Sequence, residues 1–305
     1  MEKRLPLPVT PFRIEFEIIS ACNLKCRYCY AMPFTANVPK FDNVIHLLEK
    51  TKQEANPFTV ILLGGEPFLR HDIIRIIDVA HATFNGKVGI STNGTKLSEL
   101  SKTDLNRLRE LNKDYPIIQV SFDSTDPKIN NLTRGVTNPT LEGLVTLEKN
   151  GINFEVGIVV TRLNISDIPR TIKDLLTTFK HLKALNLEEL QPASTFGDEF
   201  DRLYPSLSDS IDMNLEVRQL IRSSNRGDVR VAGIIEHDGS VSESIKMLRR
   251  NTINNNAVIL ARAGVFVDGS VSVGGVIVRN DKIGNLYHES WKEIWSKARD
   301  RVKHT

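Results

Sequence analysis

The chain has 305 residues, 40% hydrophobic and 25% charged, with a formal net charge of +3. That is an ordinary globular composition, with room for a sizeable core and two domains. So small a positive excess gives no case for a nucleic-acid binder, and no apolar run reaches the ~20 residues that a membrane helix needs. Pro6, Pro8 and Pro11 interrupt the N-terminus, so a signal peptide is not expected there. The cysteines are three, Cys22, Cys26 and Cys29, and such closely spaced free thiols suit a reducing cytoplasm.

Phe12 to Ile19 alternates apolar and polar residues and predicts a strand that runs into the cysteine loop. Phe41 to Ala55 has helical spacing at Val44, Leu47 and Leu48, with Asp42 as the candidate N-cap. Phe58 to Leu63 predicts a buried strand ending in Gly64-Gly65-Glu66-Pro67, and Leu69 to Phe84 a helix. Lys87 to Ser91 is a strand followed by Thr92-Asn93-Gly94, and Thr103 to Leu111 a helix. Pro116 to Phe122 is a strand ending at Asp123, and Thr140 to Lys149 a helix. Asn153 to Thr161 is a strand, Ile168 to Phe179 a helix, and Leu185 to Leu190 a sixth strand running into Gln191. Strands alternating with helices imply βαβ units and a parallel sheet, most naturally a partial (β/α)6 TIM-type barrel. Ligands of such folds gather at the carboxyl ends of strands. The chemically suggestive stretches all follow strand ends.

Beyond Asp198 the composition turns to Asp, Ser and Asn, which sets a boundary near residue 200. Residues 1–200 form the barrel portion and 201–305 a small α+β region. Ile211 to Ile221 predicts a helix and the Asn-rich stretch 249–256 a loop. Val265 to Val273 predicts a hairpin turning at Asp268-Gly269. Trp291 to Val302 predicts an amphipathic helix with Trp291 and Trp295 on one face.

The cysteines have the spacing Cys-x3-Cys-x2-Cys. A structural zinc wants four N/S ligands, and the nearest histidine is His46. A disulfide framework wants an even cysteine count in a small secreted chain. Three thiolates on one loop can instead hold three corners of a cubane iron–sulfur cluster, leaving one iron open. With Tyr28 just before the last cysteine, the stretch resembles the signature of the radical S-adenosylmethionine (radical SAM) enzymes. The resemblance implies one 4Fe–4S cluster on Cys22, Cys26 and Cys29. Its open iron would chelate the amino and carboxylate groups of S-adenosylmethionine, and an electron would cleave that cofactor to a 5′-deoxyadenosyl radical.

Further motifs carry the resemblance through residues 12 to 195. Gly64-Gly65-Glu66-Pro67 matches the family's "GGEP" element at the cofactor's amino group. Glycines allow close backbone approach, and the Glu66 carboxylate suits an ammonium. Ser91-Thr92-Asn93-Gly94 matches the third-strand element, placing Ser91 and Asn93 near the cofactor. Ser121-Phe122-Asp123 matches the fourth, placing Ser121 and Asp123 at ribose hydroxyls or the carboxylate. Tyr28 is expected beside the cofactor. Arg134 sits where related enzymes place an arginine on the cofactor carboxylate, which a guanidinium grips bidentately; the alternative is a solvated residue at a helix start. Val159 and Val160 would pack on adenine, or be plain core. Gln191 either faces the site or merely ends a strand.

Ala261 to Gly264, Val267 to Val271, Ile283 to Leu286 and Ser290 to Trp295 resemble the SPASM or twitch extension. That extension is frequent in enzymes that modify ribosomally made peptides, and it normally carries auxiliary clusters. Here Ala261 and Gly274 stand where cysteines are expected, and none follows Cys29. His237 and His288 cannot replace them, so this region is expected to cover the radical site without binding metal. Without an auxiliary cluster, redox-neutral outcomes are favoured, with Tyr204, Tyr287 or an external thiol as candidate hydrogen donors.

The expected activity is hydrogen abstraction from a substrate, foremost a ribosomally made peptide. The alternatives are a cofactor-biosynthesis or sugar- and small-molecule-modifying radical SAM enzyme, and a non-catalytic iron–sulfur sensor or scaffold. Expected partners are the substrate, an external electron donor of flavodoxin or ferredoxin type, and a separate peptide-recognition protein. Neither nucleic acid nor membrane is among them.

Overall fold

The alternating pattern of Arg13–Ile19 forms strand β1, but its carboxylates are not on a solvated face: Glu15 is 3% exposed and Glu17 4%. Charges so buried must be paired, and their partners arrive from the far end of the chain. The structure, a computed structural model, describes residues 9–113, 117–191, 199–233 and 261–303. It is an α/β fold with a parallel sheet, and it divides into two compact units. The first comprises Met1–Cys22, Pro33–Ile90 and Met247–Thr305; the second comprises Asn23–Met32 and Ser91–Lys246.

In the first unit, β1 pairs in parallel with β2 (Thr59–Gly64), and β2 with β3 (Val88–Thr92). Helices α1 (Phe41–Glu54) and α2 (Ile73–Thr83) pack on each other, burying Val44, Leu47 and Leu48 from one and Ile73, Ile76 and Ile77 from the other. Each such burial contributes roughly 1.5–3 kcal/mol. The predicted helix from Leu69 is shorter at its start: Pro67–Leu69 is a separate 3-10 turn capped by Glu66, and Arg70 is extended. On the other edge of β1 lies β8 (Arg262–Val265), in parallel register from Arg13↔Arg262 to Phe16↔Val265.

Strand β9 (Ser270–Val273) returns antiparallel to β8, closing the expected hairpin. Gly269 takes φ 75° in its turn, a left-handed conformation that favours glycine. Strand β10 (Lys282–Asn285) pairs with β9. This segment supplies the partners of β1: Arg262 pairs with Glu15, the Val276 N–H donates to Glu15 at 3.1 Å, and Arg279 lies 2.7 Å from Glu17. The last described helix, α9 (Trp291–Lys303), packs on α1 through Trp291, whose ring meets that of Trp295; both are 1% exposed.

In the second unit, β4 (Ile118–Ser121), β5 (Phe154–Val160), β6 (Leu182–Glu189) and β7 (Arg230–Gly233) run parallel in that order. Helices α3 (Lys102–Leu111), α5 (Asn138–Lys149), α6 (Ile168–Thr178) and α8 (Leu207–Ser223) belong to it. Its core includes Val120, Phe122, Leu144, Phe154, Val156 and Leu185, with the Phe154 and Phe179 rings edge to face at 5.6 Å. Helix α8 starts four residues before the predicted Ile211, because the Ser206 side chain accepts the Asp209 N–H at its start.

Helix α4 (Pro127–Arg134) was not read from the sequence, although its signals were present. Asp126 caps it, Pro127 opens it and Gly135 closes it at φ 86°. Its buried positions are Asn130, Thr133 and Arg134, so no apolar stripe announced it. The five-residue α7 (Glu199–Leu203) was missed for its shortness. The Asn-rich stretch 249–256, His237 and Pro116 lie outside the described residues. No helix among the described residues is long and apolar enough to cross a membrane.

Candidate active site

Within the first unit, the chain leaving β1 is stitched to the end of β2 by main-chain bonds. Gly65 N–H donates to Ile19 O, and Glu66 N–H to Ala21 O, each at 2.8 Å. A Cβ on Gly65 would lie 2.0 Å from Ala21 O and 2.8 Å from Cys22 N. The glycine is therefore required by the approach of the cysteine loop itself. Glu66 is fully buried, and its Oε1 accepts the Phe68 N–H at 2.9 Å. Arg70 braces the same corner, donating to Ile18 O and Pro39 O at 2.9 Å and to both Asp72 oxygens at 2.8 Å.

Within the second unit, the rest of the loop is held by the ends of β3, β4 and α4. The Asn23 side chain donates to Thr95 Oγ1 at 2.8 Å and accepts from Asn93 Nδ2 at 2.9 Å. Asn93 Oδ1 in turn accepts the Thr95 N–H at 3.0 Å. Arg27 N–H donates to Thr133 O at 2.8 Å, and the Cys26 thiol to Arg134 O at 3.8 Å. The Tyr28 hydroxyl donates to Asp123 Oδ2. Arg134 Nη2 donates to Asp123 Oδ1 at 2.9 Å, and its guanidinium lies 5.5 Å from the Tyr28 ring centre. Arg134 is thus a buried residue at a helix end, which rules out the solvated helix-start alternative. Burial pushes the Tyr28 phenol well above its usual range, with Asp123 and Cys26 adding to that rise against Arg134. Burial opposes the charge of Arg134, but Asp123, Tyr28 and Cys26 more than offset it and hold the guanidinium protonated.

The expected residues are placed as follows. Ser91, Ser121 and Val159 are half-buried at strand ends. Val159 packs against a cluster of Tyr28, Leu190 and Leu203 that Cys26, Leu163, Phe200 and Tyr204 also touch. Val160, on the opposite side of β5, has no exposed surface and sits in the core. Gln191 is half-buried, with Nε2 3.4 Å from Glu189 O. The Tyr204 hydroxyl donates to Glu189, while Tyr287 is 38% exposed beside His46. Asn23, Thr95 and Asn130 were missed. The signal for Asn23 and Thr95 was small polar side chains beside the loop motifs, able to bond main chain and one another.

None of the three cysteines forms a disulfide, and each is partly exposed. Among the described residues no three His, Cys, Asp or Glu side chains are gathered as they would be on a single metal ion. A cubane offers each thiolate a different iron, and the donor set of three cysteines on one loop fits it. Arg134 Nε is a buried donor without a partner among the described residues, the kind of atom an incoming acceptor satisfies.

The sequence profile of the Radical SAM superfamily matches residues 16–175. That is more than half of the chain, and the chain belongs to this superfamily, whose members are enzymes using a 4Fe–4S cluster and S-adenosylmethionine. It is 28% identical over 209 residues to the mycofactocin maturase MftC of Mycolicibacterium smegmatis, covering 64% of this chain and 49% of that protein. It is also 28% identical over 204 residues to the AdoMet-dependent heme synthase of Methanosarcina barkeri, covering 64% and 55%. The chain thus spans about half the length of the curated relatives it matches. In fold it is similar to Streptococcus suis SuiB, solved bound to its precursor peptide SuiA, with a TM-score of 0.71, 17% identity, and coverage of 95% of this chain and 65% of that one.

Proposed function

We propose that this chain is a radical SAM enzyme that abstracts hydrogen from a ribosomally made peptide. The observation that carries the reading is the Cys-x3-Cys-x2-Cys loop, bonded beyond the ends of β3 and β4 by Asn23 and Tyr28 and to the end of α4 by Arg27. When bound, the cluster and S-adenosylmethionine supply reductive carbon–sulfur cleavage and, through it, hydrogen abstraction from a substrate carbon. In this reading Cys22, Cys26 and Cys29 hold the cluster as thiolates. The Gly64 to Pro67 corner and the Glu66 carboxylate receive the cofactor's ammonium. Ser91, Asn93 and Ser121 receive its polar groups, and Arg134 Nε its carboxylate. Val159, with Val160 behind it, offers adenine an apolar surface. Residues 1–200 carry this chemistry, while 201–305 form a SPASM/twitch-like region that covers the radical site. An electron donor of flavodoxin or ferredoxin type and a separate peptide-recognition protein would serve the enzyme in the cytoplasm.

The peptide substrate draws support from the maturase relatives and from the peptide-bound SuiB structure. The second reading, a cofactor-biosynthesis enzyme, draws support from the heme synthase relative. Anaerobic reconstitution should give about four irons per chain, the content of one cubane. Reduction with S-adenosylmethionine should yield 5′-deoxyadenosine, and Cys26→Ala should abolish both. Deuterium carried into 5′-deoxyadenosine from a labelled precursor peptide would establish the peptide reading. Transfer from a labelled porphyrin precursor alone would replace it with the second.

A further inference from the structure

The residue that the family pattern places at cofactor hydroxyls is already committed within the protein. Asp123 has no exposed surface. Its Oδ2 takes the Tyr28 hydroxyl, and its Oδ1 takes Arg134 Nη2 at 2.9 Å and the Val159 N–H at 3.1 Å. Its own N–H is held by Asn130 Oδ1 at 2.9 Å, which ties it to α4 from the other side. A carboxylate this deep persists only with a paired charge and filled acceptor positions, and here the protein fills them.

Asp123, Tyr28 and Arg134 are joined to the cysteine loop. Tyr28 lies within the loop, between Cys26 and Cys29. The Arg134 guanidinium lies 5.5 Å from its ring centre, while the carbonyls of Arg134 and Thr133 accept from Cys26 and Arg27. The end of β4, the end of α4 and the second half of the loop therefore form a closed ring of contacts. Cys22 is held differently, beside the main chain of Gly65 and Glu66 in the first unit.

We propose that Asp123 is a positioning residue for the cluster: through Tyr28 and Arg134 it clamps the Cys26–Cys29 half of the loop in ligating geometry, and it does not bind the cofactor. The proposal rests on the reading that these cysteines ligate the cluster. It predicts an effect confined to two of the three thiols and present before any iron is bound.

The test uses iron-free, reduced full-length protein. Asp123→Asn keeps the shape but leaves Arg134 without its counter-charge; Tyr28→Phe removes only the hydroxyl. Iodoacetamide alkylation of each cysteine is followed by mass spectrometry. Cys26 and Cys29 should react several-fold faster in both variants, since loosening a local contact raises local opening, while Cys22 keeps its rate. After reconstitution, the EPR g values of the reduced cluster should shift before S-adenosylmethionine is added. Unchanged rates at Cys26 and Cys29, with cofactor affinity falling about ten-fold or more, would return Asp123 to the cofactor. If Asp123→Asn does not fold, unchanged rates in Tyr28→Phe still overturn the clamp. Failure of the unaltered chain to take up iron would instead overturn the proposed function.

Discussion

Trp291 donates its indole N–H to the hydroxyl of Thr51 at 3.0 Å, across 240 residues of sequence. Thr51 has no exposed surface, so this bond satisfies a buried hydroxyl on α1 with a group from α9. The main-chain N–H of Trp291 donates to the Glu54 carboxylate at 2.8 Å. Helix α9 is thereby fastened to α1. Trp291→Phe keeps most of the ring and removes the donor. It should destabilise the protein by about 1–3 kcal/mol, the cost of an unsatisfied buried polar group. Urea unfolding with tryptophan-independent detection checks this, and an unchanged midpoint would show the bond to be dispensable.

Gly65→Ala should damage the cysteine loop directly. The added Cβ would lie 2.0 Å from a main-chain oxygen of Ala21, which cannot yield as a flexible side chain would. Either the loop or the β2 corner must move. The expected outcome is a folded protein with clearly less than the about four irons of one cubane after reconstitution. Full iron content in this variant would show that the loop tolerates the shift.

Arg70 is 4% exposed and joins the last residues of β1, the Pro39 carbonyl and Asp72. Arg70→Met would leave the Asp72 charge buried without its partner. Removing one member of a buried pair typically costs about 3–5 kcal/mol. Thermal and urea unfolding should both register a loss of that size, and a loss well under about 1 kcal/mol would place the pair among weak surface bridges.

Asp268 shapes the hairpin turn and gives the stability a small acid dependence. Burial pushes its carboxyl up, but hydrogen bonds from Ser270 and Lys282 outweigh it and hold the pKa below its ordinary value. A carboxyl lowered on folding contributes stability above its unfolded pKa of about 3.9, and that contribution is lost as pH falls through the folded value. The side chain is 53% exposed, so after screening the contribution is about 0.5 kcal/mol. Asp268→Asn should lower stability by that amount at neutral pH, with the difference closing in strong acid. A difference that grew on acidification would reverse the assignment.

Much of the scaffold was legible because its signals are local. The apolar spacing of Val44, Leu47 and Leu48 and of Ile73, Ile76 and Ile77 marks α1 and α2, whose buried faces carry those residues. The Asp268-Gly269 turn marks the hairpin. Helix α4 was illegible because its buried face is Asn130, Thr133 and Arg134, polar residues that bond specific partners. The glycines before Glu66 were legible as a close approach. What they approach, Ile19 and Ala21, was not, because the neighbour is a segment more than forty residues earlier.

The sequence by itself determined the chemistry available to this protein. Three thiols at 22, 26 and 29, and no others, are a covalent fact, and the alternation of strand and helix follows from side-chain periodicity. Tertiary structure alone decided how charge is settled. Glu15 is paired with Arg262 and Glu17 with Arg279, residues 247 and 262 positions away. Asp123 is closed off by Tyr28 and Arg134 rather than left open. The physical reason is that periodicity is read within a few residues, whereas a buried charge requires a partner in space, and folding can bring that partner from anywhere in the chain.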